Sequence, residues 1–500
     1  MMHGTRKSDS SIVPEKPTNK SGLRRPEAES AEGRGLAKGN TDQQNARRTP
    51  SRTDGAPSAL DRVREAARKD KKARFTALLH HVNIDQLRHS YFSLKRKAAP
   101  GVDGVTWEQY GKNLEENLKG LHSRLHKGAY RAKATRRTYI PKADGRQRPL
   151  GIATLEDKIA QHAVVTVLNA IYETDFLGFS YGFRPGRSQH QALDAIATAI
   201  LRKKVNWVLD ADISDYFGAI NHEWLVKMIE HRIGDPRVIR LIQKWLKAGV
   251  LEDGIKTWQE SGTPQGATAS PLLANIYAHY VIDLWVNQWR QRKARGEVIV
   301  VRYADDMLLG FELRADAERC LEELRERLSK FSLKLHPTKT RLIEFGKNAA
   351  RNRAKRGIGK PETFDFLGFT HVCARNRKGR FQLLRRTIAK RMRAKLSEIN
   401  VELKRRRHQP VPVQGKWLGA VVRGHVAYYA VPLNGDMTAR FRTECIKHWR
   451  SALRQRSHKS TITWERMNRI AKRWLPPARV CHPWPDKRFD VRTQGRSPVR

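Results

Sequence analysis

Residues 297–313 read EVIVVRYADDMLLGFEL. Two apolar runs rich in Val and Leu flank the adjacent aspartates Asp305 and Asp306, which predicts a β-hairpin with two like charges at its tip. An Asp-Asp pair between strands is ordinarily turn chemistry, because Asp tolerates tight turns. A third carboxylate argues for more: Asp212, in VLDADISDYF, stands 93 residues before Asp305 on another expected strand. A strand interior is a poor place for Asp. Asp210 shares the face of Asp212 at period two, Asp215 does not, and periodicity alone leaves the choice between Asp210 and Asp212 open.

The order of elements brings these carboxylates together. From 205 onward the pattern reads strand, helices (HEWLVKMIEHRI, PRVIRLIQKWLKAG), the loop ESGTPQGATASPL and a long helix LLANIYAHYVIDLWVNQWRQRK. The hairpin, the helix DAERCLEELRERLSKF and the strand LKLHPTKTRLIEF follow. Without its insertions this is β-α-β-β-α-β, a ferredoxin-like α+β arrangement that sets the first strand beside the hairpin. Three carboxylates at one end of a sheet repel one another unless a cation lies between them. Oxygen donors that leave room for water and phosphate suit Mg²⁺, and two such ions would clamp an in-line phosphoryl transfer.

Composition points to a polyanionic partner. The 500 residues hold 98 Lys+Arg against 50 Asp+Glu, a formal charge of +48, so nucleic acid is the expected ligand. Residues 371–500 alone carry 33 basic and 7 acidic residues, among them the run Arg405, Arg406 and Arg407, expected to contact RNA. Trp417, Trp449, Trp464, Trp474 and Trp484 in this region are either core or stacking platforms. Four dispersed cysteines without a C-x-x-C pair suggest a reducing compartment, and no apolar run of about 18 residues is present, so a cytoplasmic protein without membrane contact is expected. Residues 1–58 lack Phe, Tyr and Trp and read as a disordered tail.

YADD at 303–306, with ADISDYF before it and SGTPQGATASPLLANIY between, resembles the palm of a reverse transcriptase. The blocks AAPGVDGVTWEQY, YIPKADGRQRPLGIATLEDKIAQ, YGFRPGRSQHQAL, LHPTKT, FDFLGF and VVRGHVAYYA narrow the resemblance to group II intron-encoded reverse transcriptases with maturase activity. The resemblance implies a right-hand polymerase with fingers, palm and a helical thumb or X region. It makes Asp212, Asp305 and Asp306 the catalytic aspartates that bind two Mg²⁺ ions, with the Ile213 carbonyl as a further ligand.

The resemblance further implies that Phe217 falls at the steric gate that favours dNTPs, Lys142 and Arg148 at positions that grip the triphosphate, and Gln265 at a contact to the incoming nucleotide. The same resemblance places Lys339 near the leaving pyrophosphate, and Arg184 and Arg187 in the block that touches template.

The implied domains are a tail (1–58), a helical extension (59–130), fingers and palm (131–375), thumb (376–480) and a basic C-terminal tail (481–500). The implied partners are intron RNA, an RNA template with DNA primer, dNTPs and target DNA. The chain reaches Arg500 without paired-cysteine endonuclease motifs, which resembles the endonuclease-lacking branch. An RNA-binding splicing cofactor without polymerase activity, or a domesticated enzyme of defence or repair, is the alternative.

Overall fold

The computed structural model describes residues 58–488 apart from 142–146, 253, 259–260 and 458–460. Lys142 and residues 1–57 of the expected tail thus lie outside the described residues. The chain starts with helices α1 (Ala59–Lys69), α2 (Ile84–Ser93), α3 (Trp107–Gly111) and α4 (Leu114–His126). Side-chain caps set the starts of the first two: Ser58 and Asn83 accept the N–H groups of Asp61 and Gln86.

Strands β1 (Thr135–Pro141) and β2 (Gln147–Ile152) form an antiparallel hairpin. Helices α5 (Leu155–Asp175) and α6 (Gln189–Arg202) follow, α6 opened by a Ser188/Gln191 capping box. Next come β3 (Trp207–Asp212), α7 (His222–Glu230), α8 (Pro236–Leu246) and a short hairpin, β4 (Val250–Glu252) and β5 (Ile255–Thr257), that joins β1 and β2 in one sheet.

The central sheet holds β3, β6 (Val298–Tyr303), β7 (Asp306–Phe311) and β8 (Arg341–Glu344) in the order β6-β7-β3-β8 with every pair antiparallel. Helices α9 (Ser270–Ala278), α10 (Leu284–Arg292) and α11 (Arg314–Ser329) complete the strand-helix-strand-strand-helix-strand order. Leu209, Ala211, Val300, Met307, Leu309 and Phe311 join one core with residues of these helices. Val208, Val301, Leu308 and Ile343 join a second core with α6. Both faces of the sheet are covered, which accounts for the apolar flanks of the YADD tip, and all of β7 is buried.

After β8 come α12 (Ala349–Lys355) and a three-stranded sheet, β9 (Phe364–Phe366), β10 (Phe369–Arg375) and β11 (Phe381–Thr387). The segment QLLRRT is therefore strand, not the start of a basic helix, and the boundary expected at 375/376 falls inside the β10–β11 hairpin. The helical region opens at α13 (Ala389–Arg405) and continues through α14 (Val411–Tyr429), α15 (Gly435–Arg454) and α16 (Trp464–Trp474) around a third core.

The five tryptophans divide. Trp449 is fully buried and donates to Gln414 Oε1 at 2.8 Å, Trp417 and Trp474 pack against the third core, and Trp464 and Trp484 are about half exposed. No helix among the described residues is long and apolar enough to cross a membrane, and the four cysteines are unbridged.

Trp474 can lie on α14 only because position 415 is glycine: a Cβ there would come within 2.5 Å of the indole. Gly415→Val should therefore cost about 1–3 kcal/mol by overpacking. Thermal unfolding followed by tryptophan fluorescence measures it, and an unchanged midpoint would show that α16 has room to shift.

Candidate active site

Strand β3 ends in Asp212, directly opposite Asp306 at the start of β7. Tyr303 pairs with Asp306 on the other side, so Ala304 and Asp305 alone close the β6–β7 hairpin. Asp212 and Asp306 are buried, and Asp305 is partly exposed at the turn. Directly opposed like charges are unfavourable, the more so when buried. Lys339 offsets this, its Nζ 3.1 Å from Asp212 Oδ2. The lysine is delivered by the loop KLHPTKT, whose His336 N–H donates to the Asp212 carbonyl at 2.7 Å, while the Ser214 N–H donates to the Lys334 carbonyl at 2.9 Å. These bonds run through Asp212 and Ser214 and leave the Ile213 carbonyl out of the ladder.

The sharp tip is held by one buried cation. A two-residue hairpin needs positive φ, and Ala304 adopts φ 58°, a conformation costing a non-glycine residue about 1–2 kcal/mol. Arg302, in the middle of VIVVRY, is 1% exposed. Its Nε and Nη2 donate to the two oxygens of Asp283 at 2.6 Å each, and Nη2 also donates to Ser180 Oγ at 2.7 Å. Nη1 donates to the Ala304 carbonyl at 2.9 Å and to Asn275 Oδ1 at 3.2 Å. Burial works against the Arg302 cation, but Asp283 outweighs it and its pKa lies above the ordinary arginine value.

Asp283 reaches this position from an irregularity in the long helix. Residues His279–Asp283 between α9 and α10 form a π-helical turn, and Arg327 of α11 donates to the carbonyls of Tyr280 and Val281 at 3.1 and 3.0 Å. The loop before α6 closes the tip from the other side. The N–H groups of Tyr181 and Arg302 donate to the carbonyls of Arg302 and Phe179, and a Cβ on Gly182 would lie 2.2 Å from the Ala304 nitrogen.

The remaining expected residues divide between the site and the scaffold. Gln265 is partly exposed, and its carbonyl accepts the Gly151 N–H at 2.6 Å, which ties the Pro-Gln-Gly loop to the end of β2. Its side-chain Oε1 has no hydrogen-bond partner among the described residues. Arg148 is partly exposed on β2, the same strand. Phe217 is 2% exposed and meets Phe183 edge to face.

Two arginines are corrections. Arg184 is 7% exposed, binds Glu173 and the carbonyls of Leu177 and Ser180, and lies over Phe176, so its guanidinium is engaged within the fold. Arg406 is 6% exposed, paired with Glu402 and stacked on Trp417, so the run 405–407 is not uniformly RNA-facing. Arg405 is exposed but also pairs with Glu402, Arg407 is exposed, and Arg187 is partly buried over Tyr181.

Sequence reading missed Arg302, Asp283 and Asn275. The signal was present, since a charge inside VIVVRY or YVIDLWV is as out of place as Asp212 in its strand. In donor type, the carboxylates and the Ile213 carbonyl suit a hard divalent cation. Among the described residues no three acidic, histidine or cysteine side chains are already gathered around one ion position, and Lys339 supplies the positive charge at Asp212.

Opposed aspartates thus stand at the tip of a central hairpin, and comparison with known proteins supplies the family. Residues 140–371 match the family model for reverse transcriptase (RNA-dependent DNA polymerase). The protein YkfC of Escherichia coli is 33% identical over 302 residues, covering 53% of this chain and 79% of its own. The group II intron-encoded protein LtrA of Lactococcus lactis is 35% identical over 235 residues, covering 47% of this chain and 39% of its own length. A 91 kDa protein in the cob intron of Schizosaccharomyces pombe is 40% identical over 184 residues, covering 37% of this chain and 22% of that one. The chain belongs to the reverse transcriptases, RNA-dependent DNA polymerases, in their group II intron-encoded branch.

Removing Arg302 alone would leave Asp283 buried and unpaired. Arg302→Met should cost about 3–5 kcal/mol, much of it recovered in Arg302→Met/Asp283→Leu, where both charges are gone. Chemical denaturation of both variants tests this, and equal losses would show that the two residues are not coupled.

Proposed function

We propose that the protein is an active RNA-directed DNA polymerase that also binds the RNA of a group II intron and promotes its splicing and its mobility by target-primed reverse transcription. The observation that carries the reading is the opposition of Asp212 and Asp306, with Asp305 at the adjoining turn, inside a chain of this family. In this reading β3, β6, β7 and β8 with their helices are the palm, the β1–β2 hairpin with β4 and β5 is the fingers, and α13–α16 are the thumb or maturase region.

Asp212, Asp305, Asp306 and the Ile213 carbonyl would hold two Mg²⁺ ions, which when bound supply Lewis acidity for nucleotidyl transfer from a dNTP to a primer 3′-hydroxyl. The protein's own groups set the rest. Lys339 leaves Asp212 for the pyrophosphate oxygens, where an ammonium neutralises developing charge or gives up a proton. Arg148 and Lys142 grip the triphosphate, Arg148 as a fork and Lys142 as a point charge. Gln265, whose buried Oε1 has no hydrogen-bond partner among the described residues, turns its side chain toward the incoming nucleotide. The Phe217 ring, braced by Phe183, excludes a 2′-hydroxyl. Arg187, Arg405 and Arg407 are the remaining candidates for RNA contact.

Primer extension on poly(rA) with oligo(dT), dTTP and Mg²⁺ tests the polymerase reading. Asp305→Ala should lose extension to background while RNA affinity changes less than about twofold, because it removes a metal ligand and no phosphate-binding cation. Joint loss of both would make the hairpin structural. Wild type that binds RNA but does not extend would make the protein a splicing cofactor.

Phe217→Val should raise the use of rNTP relative to dNTP without a comparable fall in dNTP turnover. An unchanged ratio in single-nucleotide addition would mean that Phe217 is core alone.

A further inference from the structure

The end of the central sheet away from the aspartates carries a second concentration of charge. Gly346, just after β8, lies against the start of β3: the Phe345 N–H donates to the Asn206 carbonyl at 2.9 Å, and a Cβ on Gly346 would overlap the Val205 carbonyl. Asp212 is six residues beyond Asn206, which at strand rise places it ~20 Å away.

Two basic segments start from Gly346. The Ala349 N–H that opens α12 donates to its carbonyl at 3.2 Å, and Cys373 Sγ of β10 approaches the same carbonyl at 3.7 Å. From there α12 runs seven residues, about 10 Å, and β10 continues two residues to its hairpin turn.

Segment 345–361 holds six cations and segment 374–380 holds four, with no acidic residue in either. Arg356 and Arg353 pair with the flanking Glu344 and Glu362. The other eight, Lys347, Arg351, Lys355, Lys360, Arg375, Arg377, Lys378 and Arg380, are exposed and have no ion pair among the described residues. The tip that presents three of them is braced, since Asn376 Oδ1 accepts the N–H groups of Lys378 and Arg380 at 3.0 Å each. Eight cations spread over two segments that meet near Gly346 are too many and too dispersed for a small anion. They match rows of phosphates on a double helix, whose backbone a protein tracks by charge and shape.

We propose that this pole is a binding surface for double-helical RNA, separate from the catalytic cleft and able to hold a stem while the cleft holds template and primer. It rests on the reading of the protein as an RNA-binding polymerase and adds where folded RNA docks.

The probe is a long RNA hairpin without a single-stranded end, titrated onto full-length protein that already holds a short template–primer. Neutralising Lys355, Arg377, Lys378 and Arg380 to Ala should weaken hairpin binding by about tenfold or more, and flatten the salt slope by about one for each phosphate no longer neutralised. Extension of the short primer should be unchanged. A control with the same loss of charge on α11 and its neighbourhood, Lys293, Arg314, Arg325 and Lys330 to Ala, should retain hairpin affinity.

Equal affinity of wild type and the pole variant, or equal losses in the two variants, would overturn the proposal. So would displacement of the template–primer by the hairpin, or parallel loss of extension, either of which would put the pole on the path of the catalytic duplex. Failure of wild type to bind the hairpin with an empty cleft would instead overturn the RNA-binding reading beneath it.

Discussion

The geometry at the aspartates depends on the buried pair of Arg302 and Asp283. Its guanidinium touches four segments: the Ser180 loop, Asn275 of α9, the π-helical turn that ends at Asp283, and the carbonyl of Ala304 in the hairpin tip. Two charges removed from water are a weak source of stability, because desolvation offsets most of their attraction. What the pair supplies is position. An arginine fork has fixed donor directions, so satisfying all of them leaves one arrangement of loop, helix and turn. That arrangement holds Ala304 at positive φ and so fixes the relative placement of Asp305 and Asp306.

The same constraint accounts for the irregular helix. A regular α-helix through 270–292 would carry residues after 279 around by a different angle, and Asp283 would no longer meet Arg302. The π-helical turn corrects the angle at the expense of helical hydrogen bonding, and Arg327 donates to two of the carbonyls concerned. One electrostatic requirement thus reaches from the hairpin through α9 and α10 into α11.

Much of this was legible in the sequence, and the failures share a cause. The hairpin, the strand bearing Asp212 and the helices around them follow from apolar periodicity, because both faces of the sheet are buried and the pattern records burial directly. The π-helical turn left no periodic signal, being one extra residue in an apolar run. Strand β11 was hidden because FQLLRRT sets two adjacent arginines after two leucines in a basic stretch, without alternation, and Arg385 is itself buried against Asp194. Arg184 and Arg406 were misjudged for a related reason. A one-letter sequence shows a charge but not the acid or aromatic ring that folding brings to it, and each of these arginines has both.

A chain with 98 cations and 50 acids must place its acids selectively. Several are consumed inside, on Arg184, Arg302, Arg385 and Arg406, where a cation without a partner would be prohibitive. Each such pair removes one charge of either sign, so the whole excess of +48 is left to the rest of the chain. Surface charge alone is therefore a poor guide to where nucleic acid lies. Better criteria are local absence of acids together with rigid presentation, which the pole around α12 and the β10–β11 turn satisfies and the run 405–407 does not. At the aspartate end of the central sheet the rule reverses: Asp212 and Asp306 are held opposite each other with Lys339 as the nearby cation, so that end keeps a negative balance in a strongly positive protein. In the proposed reading, that local inversion is what separates a site for metal with phosphate from a surface for phosphate alone.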